Sequence, residues 1–283
     1  MKLFHKTLFL AFVSAAFFSC KKEYPQADSL LSDARSFYAS GHFAEAKKAL
    51  DSIQKVSPKA FSQINAGLAL LDSIRYGENI RIVTQSDSLL KLMEARIEQQ
   101  KRLFTYEINP KYQDKGCYIP KAYPNSMAAM GFRSGVEADG KLYLESVADR
   151  PIKHFAAVAS IPGGQRAETK AVTDDGANYR FQVEGQSAEV VRYSGKRENG
   201  VAAFIAANQT KNITVMLKAT SPTSFTLTAQ AKRGILDSYT LSRLLTTRDS
   251  VRFNLEKSKR LIKYLDKKRA KEMARKAEKQ LTE

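Results

Sequence analysis

The sequence predicts an α+β protein whose helices and strands are segregated along the chain. It should have N-terminal repeat-like helices and a long helix, an antiparallel β-sandwich or barrel-like middle, and a long C-terminal helix. Three observations carry this. Apolar residues recur at three- and four-residue intervals through residues 27–110. Short alternating runs separated by Gly, Pro and Asn-Ser turns fill residues 111–235. From residue 236 the three-four spacing returns and holds almost to the C-terminus. Helices do not alternate with the strands, which argues against a parallel sheet.

The first twenty residues read as a leader. Lys2 and Lys6 precede a run of mostly apolar residues, and Ser19 stands before Cys20. This charged, apolar, small-residue order is that of a secretory signal peptide over residues 1–19. Its apolar core is too short to span a bilayer, which takes about 20 residues. The cysteine at the cut resembles a bacterial lipoprotein lipobox, which implies that Cys20 becomes a diacylated N-terminus and that residues 20–26 form a short tether. Phe17 and Phe18 depart from the usual lipobox residues. The run Lys21-Lys22-Glu23 carries no acidic stretch, which points to the periplasmic face of the outer membrane.

Removing residues 1–19 leaves 44 basic and 29 acidic side chains, a net charge of +15. In a secreted chain, anionic lipid and acidic envelope polymers are the expected negative partners, and nucleic acid is not. Only Cys20 and Cys117 remain as cysteines, and only His42 and His154 as histidines. That argues against a His-rich metal site and leaves little for a Ser-His-Asp arrangement. Both histidines read as structural. No cofactor or metal is expected, and no catalytic residues are assigned.

Residues 27–110 form the helical part. Asp28-Ser29 is positioned to cap a first helix through Leu31, Ala34 and Phe37, and a second helix runs through Leu50 and Ile53 to Pro58. The series Ala34, Phe37, Gly41, Phe43, Glu45, Ala46 and Pro58 resembles one tetratricopeptide repeat. A third helix is expected over residues 59–76, closed by Gly77, and a long amphipathic one over residues 86–106. Fewer than about three repeats cannot bury their own faces, so the stub needs another surface.

Residues 111–235 form the β domain. Strands are expected at 130–136, 142–147, 154–161, 167–172, 179–183, 189–193, 201–207, 213–218 and 225–229. Gly163-Gly164 lacks the following helix and Lys of a phosphate loop, and reads as a turn. Residues 236–283 form the last helix, capped by Asp237-Ser238, with a seam through Leu241, Leu244, Val251, Leu255 and Leu265. This seam is expected to pack antiparallel on the helix at 86–106. Residues 257–279 hold eleven Lys/Arg against three acids. Lys267, Lys268, Arg269 and Lys271 are the candidate contacts to an anionic surface.

Taken in this order, the elements resemble uncharacterised tetratricopeptide-type lipoproteins of Bacteroidetes. Asp-Ser-aliphatic triplets at Ser29, Ser52, Ser73, Ser88 and Ser250 resemble the O-glycosylation motif of those bacteria, although Asp-Ser is also ordinary helix chemistry. The function expected is that of a non-catalytic, membrane-anchored adaptor with a protein or envelope-polymer partner. The alternative is an envelope hydrolase or carbohydrate-binding protein. It would use carboxylates such as Glu168, Asp174, Asp175 and Glu184, or Tyr112, Tyr118, Tyr123, Tyr143, Tyr179 and Tyr193 for stacking.

Overall fold

The structure is a computed structural model and describes residues 24–111, 114–123, 130–173, 178–183 and 186–282. The expected leader, Cys20, Tyr112, Asp174, Asp175 and Glu184 lie outside the described residues, as does the side chain of Tyr179. Helices lead, strands fill the middle of the chain and a long helix closes it. The chain divides into two units. The first comprises residues up to Asn79 together with the stretch from Lys268, and the second is Ile80–Lys267.

In the first unit, α1 (Pro25–Ala39) and α2 (Phe43–Val56) are followed by the opening turns of α3 (Phe61–Lys101). Pro25 suits the first helical position, since it lacks the N–H that would be left unpaired there. Asp28 is therefore not the cap expected of it: it lies in the first turn, and its carboxylate accepts from Gln63 Nε2 at 2.9 Å. Gly41 at φ 73° turns the chain after α1. The Gly41 N–H donates to Tyr38 O and the His42 N–H to Phe37 O, the paired closure that a left-handed glycine permits. Ala27, Leu31, Ile53 and Ala60 are buried together, and the small alanines let the helices approach closely.

Gly77 does not end a helix. It lies inside the 41-residue α3, so the two helices expected at 59–76 and 86–106 are one. The Phe43 ring lies 3.1 Å from where a Cβ on residue 77 would stand, and glycine leaves that space to the ring. Packing, not termination, explains this glycine.

In the second unit, the strands are β1 (Phe104–Glu107), β2 (Cys117–Pro120), β3 (Gly131–Glu137), β4 (Leu142–Ala148), β5 (Ala156–Ser160), β6 (Arg166–Glu168), β7 (Asn178–Val183), β8 (Gln186–Ser194), β9 (Thr214–Lys218) and β10 (Thr223–Thr226). They form a six-stranded sheet ordered β1-β2-β3-β4-β8-β7 and a four-stranded sheet ordered β10-β9-β5-β6. Every pairing is antiparallel. Both sheets contribute to one core: Phe132, Leu144 and Val191 from the first, Ala157, Val215 and Leu217 from the second. Neither sheet closes on itself, so of the two expected forms the sandwich is observed and the barrel is not.

Three expectations are corrected here. Residues 201–207 form a helix, α4 (Val201–Ala207), and not a strand. Val201, Ala202 and Ile205 are its buried positions, a helical spacing, and alanine is the strongest helix former. The helical part does not run to residue 110, because α3 stops at Lys101 and β1 begins at Phe104. The last helix, α5 (Ala229–Thr282), starts well before Asp237-Ser238, both of which are buried inside it. Its start is marked by Thr228, whose hydroxyl accepts from the Ala231 N–H at 3.1 Å.

The expected helix pairing is present within the second unit. Ile97 of α3 packs in one cluster with Leu241 and Leu245 of α5, together with Phe104 and Val136. Gln100 Nε2 donates to Asp237 O at 3.2 Å, and Arg252 Nη2 to Glu94 Oε1 at 2.6 Å. Rising numbers on α3 meet falling numbers on α5, so the pair is antiparallel.

Candidate functional site

The densest chemistry among the described residues is a chain of four buried side chains between the sheets. β4 and β8 pair in a register that sets Ser146 opposite Val191, Leu144 opposite Tyr193 and Ala148 opposite Glu189. Alternation then turns Ser146, Glu189 and Tyr193 to the face that carries Leu144 and Val191 in the core. Just before β5, Lys153 has φ 56°, a left-handed conformation unusual for a side chain of its size. That turn aims two successive backbone donors at one carboxylate: Lys153 N–H reaches Glu189 Oε2 at 2.9 Å and His154 N–H reaches Oε1 at 2.7 Å.

The imidazole completes the chain. His154 Nδ1 lies 2.6 Å from Glu189 Oε1, and Nε2 lies 2.7 Å from Ser146 Oγ. Ser146 Oγ is in turn 3.0 Å from the Tyr193 hydroxyl. A carboxylate against Nδ1 assigns the proton to that nitrogen, leaving Nε2 to accept from Ser146 and Ser146 to accept from Tyr193. Burial pushes the Tyr193 phenol well above its ordinary range, so it stays protonated as that donor. The Thr169 hydroxyl, which accepts from the Ala157 N–H at 2.9 Å, lies beside it.

Hydroxyl, imidazole and carboxylate stand in the order of a nucleophile, a base and its orienting acid. Access decides what they can do. His154 and Glu189 side chains are 0% exposed and Ser146 is likewise sealed. The Tyr193 hydroxyl, 3.0 Å away, is a further hydrogen-bond partner of the buried Ser146 Oγ. The arrangement is a satisfied polar network that ties β4, β5 and β8 together. Sequence reasoning read His154 as structural and missed Glu189 altogether. Its signal was an acid in the run Glu189-Val-Val-Arg-Tyr193, on the same strand face as Val191 and Tyr193.

Of the carboxylates expected from sequence only Glu168 is among the described residues, and of the tyrosines the side chains of Tyr118, Tyr123, Tyr143 and Tyr193 are. Glu168 pairs with Lys218 at 2.6 Å near the surface. Tyr143 and Tyr193 are buried, and the half-buried Tyr123 shares a hydrogen bond of 2.6 Å with Ser134 Oγ. Tyr118 packs against Tyr106 with ring centroids 4.9 Å apart. A polar pocket of about 290 Å³ is lined by Glu107, Asn109, Cys117, Tyr143 and Arg192. Burial pushes the Cys117 thiol up, away from the nucleophilic thiolate. Arg192 is held by Glu145 at 2.7 Å and stacks 4.1 Å from the Tyr143 ring centroid. No group of three His, Cys, Asp or Glu among the described residues could hold a metal ion.

The five candidate glycosylation serines all lie in helices: Ser29 on α1, Ser52 on α2, Ser73 and Ser88 on α3, and Ser250 on α5. Ser52 and Ser250 donate their hydroxyls to the carbonyls of Lys48 and Thr246, one turn back. Ser29 and Ser88 are exposed, and Ser73 is half-buried. Of the four candidate basic contacts, Lys268 pairs with Asp72 at 2.5 Å and the Arg269 guanidinium lies 4.3 Å from the Tyr76 ring centroid. Lys267 and Lys271 are exposed. Two of the four thus hold α5 to α3 within the first unit, although the Lys268 side chain is still 43% exposed.

No family model matches the chain, and a search of curated proteins finds no sequence similar to it. No described helix is long and apolar enough to cross a membrane.

Proposed function

We propose that the chain is an envelope lipoprotein, anchored through Cys20 in the outer membrane and facing the periplasm, that acts as a non-catalytic adaptor. Its helical lead, similar to a single tetratricopeptide repeat, supplies the partner surface. The observation that carries this reading is where large apolar side chains meet solvent in the first unit. Phe61 and Leu68 stand seven residues apart on one face of α3 and are 69% and 58% exposed. Phe37 on α1 is also exposed, at 38%. Apolar groups at helical spacing on a helix surface fit a protein partner better than a small substrate, which needs a concave site. The sealed Ser146–His154–Glu189 network supports the same reading, since the one relay among the described residues has no opening for a substrate.

Site-specific photocrosslinking tests the surface. A photoreactive residue replacing Leu68, in the full chain expressed in native cells, is expected to give a discrete adduct. The same residue at Gln54, exposed on α2, is expected to give none. No adduct at residue 68, or equal adducts at both positions, contradicts the adaptor reading.

A further inference from the structure

The end of α5 is unlike the rest of the helix. Every residue from 270 to 282 is exposed, although the helix runs unbroken to Thr282. The segment contains no Gly or Pro and is rich in Ala, Lys, Arg and Glu, so its own propensity sustains the helix. At about 100° per residue, Ala270, Met273, Ala274, Ala277 and Leu281 share one face. Met273 and Leu281 are 71% and 87% exposed. Lys271, Arg275, Lys276 and Lys279 gather on the other side and outnumber the two acids there, Glu272 and Glu278, and none of the four is in an ion pair among the described residues. Just before them, Lys268 and Arg269 are fastened to Asp72 and Tyr76. The helix is thus held at its last buried turn and left bare beyond it.

We propose that residues 270–282 form an interfacial helix that lies on an anionic membrane surface, with Lys271, Arg275, Lys276 and Lys279 meeting lipid phosphates and Met273 and Leu281 entering the headgroup region. A cationic face beside a thin apolar one is the pattern of helices that lie in the plane of the interface. The apolar face decides between occupants, because an acidic polymer would need the cations alone. Placement supports the same choice. Residues 270–282 belong to the same unit as α1, whose first residue lies only five positions after Cys20, a reach of at most about 18 Å. This last point rests on the lipid-anchor reading. Tethering would raise the local concentration of lipid and make a weak contact sufficient.

The test uses the full mature chain with Cys20→Ser, so that it does not depend on lipidation. Sedimentation with phosphatidylglycerol-containing vesicles at about 50 mM salt is expected to carry the protein down, and about 0.5 M salt to release it. Each basic residue near such a surface contributes about fivefold in affinity, so K271Q/R275Q/K276Q/K279Q should lose about a hundredfold or more. M273Q/L281Q should lose at least about fivefold on vesicles and nothing on a soluble acidic polysaccharide. Unchanged circular dichroism confirms that both variants fold. No binding to anionic vesicles at low salt, or binding untouched by the four charge changes, overturns the proposal. So does polysaccharide binding as tight as vesicle binding with no effect of M273Q/L281Q, which would make the segment a polymer contact. None of these outcomes bears on whether Cys20 carries lipid.

Discussion

Glu189→Ala is expected to lower the melting temperature by about 10 °C. The substitution strips the acceptor from three donors at once: the Lys153 and His154 backbone N–H groups and His154 Nδ1. The two His154 donors stay sealed from water, since His154 is 1% exposed and the Glu189 side chain 0%, while the Lys153 N–H is part-buried. Removing one partner of a buried, hydrogen-bonded pair costs about 3–5 kcal/mol, because the other is left uncompensated. In a chain of this size each kcal/mol moves the midpoint by about 2–4 °C. Lys153 would also lose the contact that holds its left-handed backbone. Glu189→Gln keeps the shape and one acceptor, so it should fall between the parent and Glu189→Ala. Glu168→Ala is the control, since the Glu168–Lys218 pair is about two-fifths exposed and such surface pairs contribute about 0–1 kcal/mol. Thermal unfolding followed by circular dichroism measures all three. A Glu189→Ala midpoint within about 2 °C of the parent would mean that water reaches the network.

The second large effect is expected at Leu255→Asp. Leu255 is 6% exposed on α5, three residues beyond Arg252, which bonds Glu94 across the helix pair. Its heptad spacing from Leu241, through Arg248, puts it on the seam that carries Ile97, Leu241 and Leu245. Removing a buried leucine costs about 2–5 kcal/mol, and an aspartate in its place adds a charge without a partner. A drop of about 10 °C or more follows. Asn254→Asp, one residue away on the exposed side, should stay within about 2 °C, since a surface change is worth about 0.5 kcal/mol. Equal melting curves for Leu255→Asp and Asn254→Asp would show that the seam stops short of residue 255.

Much of this architecture was legible from periodicity. The strands at β3, β4, β8 and β9 fall within two or three residues of their expected runs, because alternation was backed there by turn residues such as Asp139-Gly140. The α3–α5 pair was legible because two stripes of matching spacing each needed cover. What failed were places where one residue type has two meanings. Gly77 was read as a stop, yet serves as room for the Phe43 ring. Asp28 and Asp237 were read as caps, yet sit within helices. Val201-Ala-Ala-Phe-Ile205 is apolar enough for a strand, and burial at 201, 202 and 205, with the helix propensity of its alanines, selects helix. The buried network was the least legible. Ser146, His154 and Glu189 are scattered in sequence and meet only through the β4–β8 register and the turn at Lys153. The basic tail was visible as a charge run, but which of its cations are engaged within the fold depended on Asp72 and Tyr76, nearly two hundred residues earlier.

The reading of the chain as a tethered adaptor depends first on Cys20. The most direct measurement is the mass of the N-terminal peptide from protein extracted from native membranes, set beside the fractionation of Cys20→Ser. The expected peptide begins at Cys20 and carries a diacylglycerol thioether, and the Cys20→Ser chain is expected as an unprocessed or soluble form. An unmodified peptide beginning at any other residue, or a Cys20→Ser chain that stays with membranes through detergent-free high-salt washing, contradicts it.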